Sequence, residues 1–598
     1  MFKKARSIPS LFVQIARESS DRTALRVRRA DALIDISWGS FLEVVCYLSL
    51  GLGEIGLRPQ DKVCIILENC AEWLYFDLAI LSNKAIVVPL YTNCSDLDFN
   101  YILKHSEARF LVVSDEAALE RFQKLEPGAT RIEKIIIVNQ IGECEQGNVI
   151  SYNYLIEIGR RQGVQTRIPF YEKIDEIGLA DLATIIYTSG TTGDPKGVML
   201  SHENFIANCE GCAEAIPVSN EDVSLSFLPL SHIFERLAGY YFFLFSGATM
   251  GFAESMFTVM RDMQDIKPTI MCAVPRFFER IYHGILDNME QQSFLKRTFL
   301  AWALHVGRSF HTLQRRGKKV FFGTRFMYGF LNKLVFIKLR EKLGGNFRFC
   351  VSGGAALSKD IAYFFEIIGI TILEGYGLTE NAPVISVNRE ESNKIGTVGF
   401  PLNNVEVKIA EGGEIAVRSR SVMQGYYRDE QSTRETIRDG WLYTGDIGRL
   451  DQKGYLKIIE RKKDIIVISG GKNIAPQLIE NILVSDKMFN QVVVFGDNQK
   501  YLVALIVPHR EQLELFAHQK KISFRSYDDL LGNREIYGML KRHIAHALRE
   551  LAHHEKIKKF KLLKDEFTLE NNELTPTYKI RRKVILAKYK DIISALYE

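Results

Sequence analysis

The sequence predicts an α/β chain of at least two domains: a large first domain of layered sheets and helices that ends in a β-barrel-like subdomain, then a smaller α+β domain. Three observations carry this reading. The 598 residues exceed the size at which one core keeps growing. Between about 20 and 180, apolar strand-like runs alternate with helical stretches, as parallel sheet requires. From Val405 to Ile459 the pattern shifts to short alternating runs broken at EGGE and DQKG, which fits antiparallel sheet. A hydrophobic share of 46% with 25% charged residues is ordinary for a soluble globular chain.

The N-terminal MFKKARSIPSLFVQIARESSD is basic but is broken by Pro9 and by charges before a signal-like run builds, so a cytoplasmic protein is expected. FLEVVCYLSLGLGEIG then gives a helix and KVCIILEN a strand, AEWLYFDLAILSNKA a helix and IVVPL a strand, with further strands in FLVVSD and KIIIVNQ. LATIIY and VML flank a polar stretch as two short strands, and Ser201 is placed to cap a helix through HENFIANCEGCAEA. The longest uncharged run, Leu237 to Ala253, is short for a membrane span and is interrupted by glycines, so it reads as a buried helix followed by a strand. Nine cysteines lie singly except Cys209 and Cys212, without the second pair that a metal or redox site needs. Core thiols in a reducing compartment are expected.

The net charge of +5 hides an asymmetry. Between Lys296 and Lys342 stand twelve Lys/Arg against one acid, Glu341. FLAWALHVGRSFHTL and FMYGFLNKLVFIKL add aromatic and apolar residues, a composition that suits basic amphipathic helices on an anionic membrane surface and equally a helical insertion, about 281–346, with solvated charges.

The polar stretch, Tyr187 to Val198, reads YTSGTTGDPKGV. Its glycines can turn main-chain N–H groups toward an anion, its hydroxyls add short donors and Lys196 adds a point charge. The P-loop spacing is absent and the flanks give strand, loop, strand, so on these residues alone a phosphate clamp and a plain polar loop both stand. Later, FRFCVSGGAALSKD gives a strand, a Gly-Gly turn and a helix start. In ITILEGYGLTEN, Gly375 and Gly377 flank Tyr376 so that its ring can lie flush on a flat ligand, and Glu380 offers a hard oxygen for magnesium. Within WLYTGDIG, Asp446 is suited to two ribose hydroxyls, or to an ordinary Gly-Asp turn.

Taken together these strings resemble the adenylate-forming enzymes, the superfamily of acyl-CoA synthetases, luciferases and peptide-synthetase adenylation domains. PRFFERIY and the TPTxK ending resemble the long-chain fatty acyl-CoA synthetases in particular. The resemblance covers nearly the whole chain. It implies that Thr188, Ser189, Gly190, Thr191, Thr192, Gly193 and Lys196 hold phosphates. It places adenine against Gly353, Gly354 and Ala355 and under Tyr376, phosphate on Thr379, magnesium on Glu380 with Thr188, and ribose on Asp446 and Arg461. His232 and Phe234 of LPLSHIFER would border the acyl pocket and thiol path, which Gly470 and Gly471 approach from the other side. Lys579 is the implied catalytic lysine.

The implied division is an adenylation domain over 1–460, its β-rich part at about 400–460, and a mobile lid over 461–598 hinged near Lys463. ATP, Mg2+ and coenzyme A are the implied cofactor and co-substrates and a long-chain fatty acid the implied substrate; the basic, aromatic-rich composition of 296–342 adds an expected peripheral membrane contact, and no nucleic acid is expected. Two other readings stay open: delivery of the acyl-AMP to acyl carrier protein, which suits the positive charge equally, and an inactive membrane-associated lipid binder of this fold.

Overall fold

The computed structural model describes residues 5–29, 32–124, 130–139, 145–165, 167–188, 194–290, 292–315, 319–575 and 579–598. Among them, two nine-stranded sheets form the large domain. One is centred on Lys62–Ile66, Ile86–Pro89 and Phe110–Val113, which run parallel as their uninterrupted apolar sequences predict. Its far side is the antiparallel hairpin Leu182–Thr188 and Lys196–Ser201, so strand, loop, strand holds around the polar stretch. The other sheet runs parallel through Thr371–Gly377, Phe349–Ser352, Ile270–Ala273, Val223–Ser226 and Thr249–Phe252.

One continuous core joins the two sheets through the helices Trp38–Glu54, Ala71–Ser82 and His202–Ala215. Ala71–Ser82 shows why its sequence is apolar on every side: eleven of its twelve residues are buried. Asp77 is the one buried charge in that helix and meets the buried Arg236, which also donates to Thr184 Oγ1 at 2.7 Å. Tyr241 adds a 2.6 Å hydrogen bond to Asp77 Oδ2. Helix His202–Ala215 is capped by Ser201, with Asn204 returning the bond.

The run Leu237 to Ala253 is buried helix then strand, as expected, but its first part, Glu235–Tyr241, winds as a π-helix before the α-helical Phe242–Ser246 and the strand Thr249–Phe252. Apolar spacing alone does not separate these two windings. The insertion is helical: Pro275–Glu290, Phe294–Arg315, Phe322–Leu331 and the π-turn Asn332–Phe336 that continues into Ile337–Glu341. Among the described residues no helix is long and apolar enough to cross a membrane.

A five-stranded antiparallel sheet, Val405–Ile409 through Leu456–Arg461, is the β-rich part. The last domain packs helices around the hairpin Phe489–Phe495 and Leu502–Pro508, with Ile557–Leu562 added parallel, an α+β unit with its own core.

Candidate functional site

A cleft of about 3380 Å³ opens between the two domains, and most of the residues singled out in the sequence line it. Thr188, Lys196, His232, Phe234, Gly353, Gly354, Ala355, Gly375, Tyr376, Gly377, Thr379, Glu380, Asp446, Arg461, Lys463 and Lys579 all face this one space. Ser189, Gly190, Thr191, Thr192 and Gly193 lie outside the described residues. Gly470 and Gly471 are not brought to it: they form an exposed turn between the short strands Ile466–Val467 and Asn473–Ile474.

Tyr376 ends a strand of the second sheet, and its hydroxyl donates to Asp446 Oδ2 at 2.6 Å. Asp446 lies opposite Arg461 on the neighbouring antiparallel strand, whose Nε stands 3.2 Å from the other carboxylate oxygen. Burial, then the Asp446 charge, push the Tyr376 phenol well above its usual range, so it remains a hydrogen-bond donor. Gly377 is required by backbone crowding, since a Cβ there would stand 2.1 Å from the Pro383 carbonyl oxygen. Gly353 is required by a side chain: a Cβ would meet the Phe234 ring at 2.9 Å. LPLSHIFER and the Gly-Gly turn thus pack against each other.

On the opposite wall the sequence reading missed three residues. The short strand Gly425–Tyr426 pairs with the outer edge of Lys196–Ser201. Tyr426 donates to Glu380 Oε1 at 2.8 Å, and the Lys196 ammonium lies 5.1 Å above its ring. Lys196 also contacts Ser432 and lies 3.7 Å from Asp429 Oδ2. Asp429 caps the helix Glu430–Thr436, and the Asp-x-x-Ser spacing was the available signal, although it marks a helix start and says nothing of an anion site. Glu380 and the Thr188 hydroxyl are hard oxygen donors, a set that suits magnesium, which takes one or two carboxylates and completes its shell with water and phosphate.

Lys579 reaches the cleft from the C-terminal domain, its backbone N–H bonded to Thr575 Oγ1 at 3.0 Å. Desolvation in the cleft, reinforced by the Arg461 charge, lowers its pKa from the ordinary lysine value. Desolvation and the Lys579 ammonium together push His232 down to about 4, so its imidazole is neutral at physiological pH. A lysine and a histidine 347 positions apart in sequence are therefore electrostatic neighbours. The same cleft is also lined by the apolar side chains Phe227, Phe277, Ile281, Ile285, Met289 and Leu300, with Arg276, Glu279 and Arg280 among them.

The geometry defines a two-domain α/β protein with an interdomain cleft, furnished by a Tyr–Asp–Arg cluster built on the buried Asp446 and by a lysine from the small domain. Comparisons with known proteins give the family. Residues 12–427 match the AMP-binding enzyme family and residues 463–598 the AMP-binding enzyme C-terminal domain. The chain is 33% identical over 558 residues to a long-chain-fatty-acid–CoA ligase of Mycobacterium bovis, covering 92% of this chain and 90% of that one. It is 34% identical over 604 residues to a peroxisomal long chain acyl-CoA synthetase of Arabidopsis thaliana, covering 96% and 83%. In fold it resembles an anthranilate CoA ligase solved with anthranoyl-AMP, with a TM-score of 0.74 at 20% identity over 99% and 98% of the two chains. An o-succinylbenzoate CoA synthetase from Bacillus subtilis, solved with ATP and magnesium, gives a TM-score of 0.65 at 20% identity over 96% and 98%. The chain belongs to the AMP-binding enzyme family, and with it to the adenylate-forming enzymes.

Proposed function

We propose that this enzyme activates a long-chain fatty acid with ATP and transfers the acyl group to the thiol of coenzyme A. The observation that carries the reading is that Lys579 stands in the same cleft as Tyr376, Asp446 and Arg461, and that His232, Phe234 and several large apolar side chains line this cleft as well. The long-chain ligases named above, about a third identical over nearly the whole chain, support the choice of substrate and acceptor.

A carboxylate is a poor electrophile at neutral pH, and the chemistry must give its oxygen a leaving group. One carboxylate oxygen attacks the α-phosphorus of ATP, the bond to the bridging oxygen breaks, and pyrophosphate departs, leaving acyl-AMP. The thiol then adds to the acyl carbonyl and AMP leaves with the pair of electrons of the broken C–O bond. In this reading Tyr376 and the Gly353–Ala355 backbone hold adenine, while Asp446 and Arg461 hold the ribose. Lys196, Thr188, Thr379 and the 189–193 loop hold the phosphates. Lys579 bridges the carboxylate and the α-phosphate, whose mutual repulsion opposes attack, so its work is positioning and charge neutralisation. Glu380 and Thr188 would hold a magnesium ion, which when bound neutralises charge on the departing pyrophosphate. The neutral His232 leaves the carboxylate's path free of a second cation that would compete with Lys579.

The chain divides into an adenylation domain over 1–460 and a lid over 461–598, and rotation near Lys463 withdraws Lys579 and brings Gly470 and Gly471 toward the thiol. Pyrophosphate–ATP exchange over fatty acids of graded length, followed by product analysis with coenzyme A and with acyl carrier protein, tests the reading. Exchange peaking at long chains with acyl-CoA as product is expected. Transfer to the carrier protein alone would reassign the acceptor, and absence of exchange with every carboxylate would leave a lipid binder of this fold.

A further inference from the structure

We infer that the ion pair between Asp98 of the large domain and Arg581 of the small one is a latch that holds Lys579 in the cleft for adenylation, and that it opens when the thiol is to enter. The role in adenylation rests on the acyl-activating reading above, whereas the contact between the domains stands without it.

Lys579 stands on a loop closed at its base. Leu574 and Ile580 bridge as antiparallel partners, the Thr575 N–H donates to the Lys579 carbonyl at 2.8 Å, and the Lys579 N–H donates to Thr575 Oγ1 at 3.0 Å. The arginines that follow tie this loop to both domains. Arg582 turns into its own domain, donating to the two Glu480 oxygens at 2.6 and 3.0 Å and to the Val494 carbonyl at 2.6 Å. Arg581 turns to the large domain: its Nη2 stands 3.7 Å from Asp98 Oδ2, while Nη1 keeps a contact with Asn572 of the small domain. Its backbone is fixed as well, the N–H bonded to the Glu573 carbonyl at 2.8 Å and its own carbonyl accepting from the Val584 N–H at 2.9 Å. The guanidinium therefore leaves Asp98 only when the whole segment moves.

Asp98 is anchored just as firmly. It sits in the first turn of the helix Asp96–Ser106, which Ser95 caps through the Asp98 N–H at 3.1 Å and whose Phe99, Ile102 and Leu103 are buried against the first sheet. The other acid of that turn, Asp96, is paired inside the large domain with Arg121 at 2.8 Å. Asp98 instead lines the interdomain cleft. A rotation near Lys463 that withdraws Lys579 must carry Arg581, two positions further on, away from a carboxylate that stays behind. The Arg582–Glu480 pair travels with the small domain and is not disturbed. The latch has a strength suited to opening in every turnover. Its side chains are 17% and 19% exposed, so water partly screens the pair, which biases the closed arrangement without locking it.

Measuring the two half-reactions separately on the full chain tests the latch. Asp98→Asn, which keeps the helix cap, should lower kcat for pyrophosphate–ATP exchange about three- to fivefold and leave KM for ATP within about twofold, because the large-domain residues assigned to the nucleotide stay in place. Conversion of preformed acyl-AMP to thioester should be unchanged or faster. Arg581→Gln should act in the same way, and Asp98→Arg combined with Arg581→Asp should return exchange to within about twofold of the parent. Asp96→Asn removes a charge from the same turn and should change neither half-reaction. A second readout needs no catalysis: spin labels on Glu430→Cys and Leu515→Cys, one exposed position in each domain, report the separation of the domains. Asp98→Asn should enrich a separation distinct from the parent's by about the factor lost in exchange. Equal loss in both half-reactions, the same loss in Asp96→Asn, an unaltered distribution of separations, or a charge-swapped pair no better than the single variants would overturn the inference. If exchange fails with every acid while the separations still shift in the single variants and return in the swapped pair, the latch between the domains is supported and only the proposed function falls.

Discussion

Replacing Arg236 by Met asks how much of the large domain hangs on one buried cation. Arg236 contacts Asp77, Thr184 and Tyr241, and none of these groups reaches solvent to a useful extent. Methionine fills a similar volume but leaves Asp77 with the Tyr241 hydroxyl at 2.6 Å as its remaining partner. Removing one member of a buried ion pair costs about 3–5 kcal/mol, chiefly through the orphaned charge. The retained Tyr241 bond places the expectation toward the lower end. All four tryptophans, at 38, 73, 302 and 441, precede the C-terminal domain, and the Arg236 guanidinium lies 5.3 Å over the Trp73 ring. Tryptophan fluorescence during urea unfolding therefore reports the large domain by itself. The orphaned Asp77 will take up a proton in the folded state, raising its pKa above the unfolded value, so the loss should be smaller at pH 5 than at pH 8. Asp77→Asn in the same background should restore much of the stability. A loss below about 1 kcal/mol, or no coupling between the two positions in a double-mutant cycle, would refute the reasoning.

Lys579→Ala should lower acyl-AMP formation by about 10²–10³-fold, the loss seen when one charge-stabilising donor is removed, while preformed acyl-AMP is still converted to thioester; equal loss in both half-reactions, measured by rapid quench, would remove the lysine from its assigned step. Because desolvation lowers the Lys579 pKa, the alkaline limb of kcat/KM for adenylation should fall below the pH at which an ordinary lysine titrates, and Lys579→Arg should move it upward if any activity survives. Burial without a matching charge pushes Glu235 up to about 8, so the folded state holds a proton that the unfolded chain releases near 4.5; stability should fall as pH rises across that interval, and Glu235→Gln should flatten the fall when unfolding is followed from pH 5 to 9.

Much of the architecture was legible because it is written locally. Uninterrupted runs such as KVCII and FLVV are central parallel strands, and AEWLYFDLAILS is a helix buried on nearly every side. The flanks of the polar stretch gave its hairpin. What could not be read were pairings made by the fold. Arg236 looked like the end of a motif, yet its partner Asp77 lies 159 residues earlier. Tyr426 carried no signal of its own, and its contacts with Glu380 and Lys196 arise only when its strand joins the edge of the first sheet. The resemblance named Tyr376, Asp446 and Arg461 individually. The Asp446–Arg461 contact comes from the pairing of two antiparallel strands, and the Tyr376 bond to Asp446 from how that sheet docks beside the second parallel sheet, neither of which spacing encodes.

The strand Gly425–Tyr426 has a bearing on biosynthesis. The hairpin of Leu182–Thr188 and Lys196–Ser201 is complete once residue 201 has left the ribosome, yet its outer edge stays open until Gly425 and Tyr426 bond to Met199 and Val198 more than two hundred residues later. At synthesis rates of about 5–20 residues per second that interval lasts on the order of ten seconds or more. During it the nascent chain presents unpaired backbone groups along KGVMLS, an apolar edge of the kind that recruits other strands. Chains truncated between 201 and 425 should accordingly depend on chaperones to stay soluble, and chains extended past Tyr426 should not.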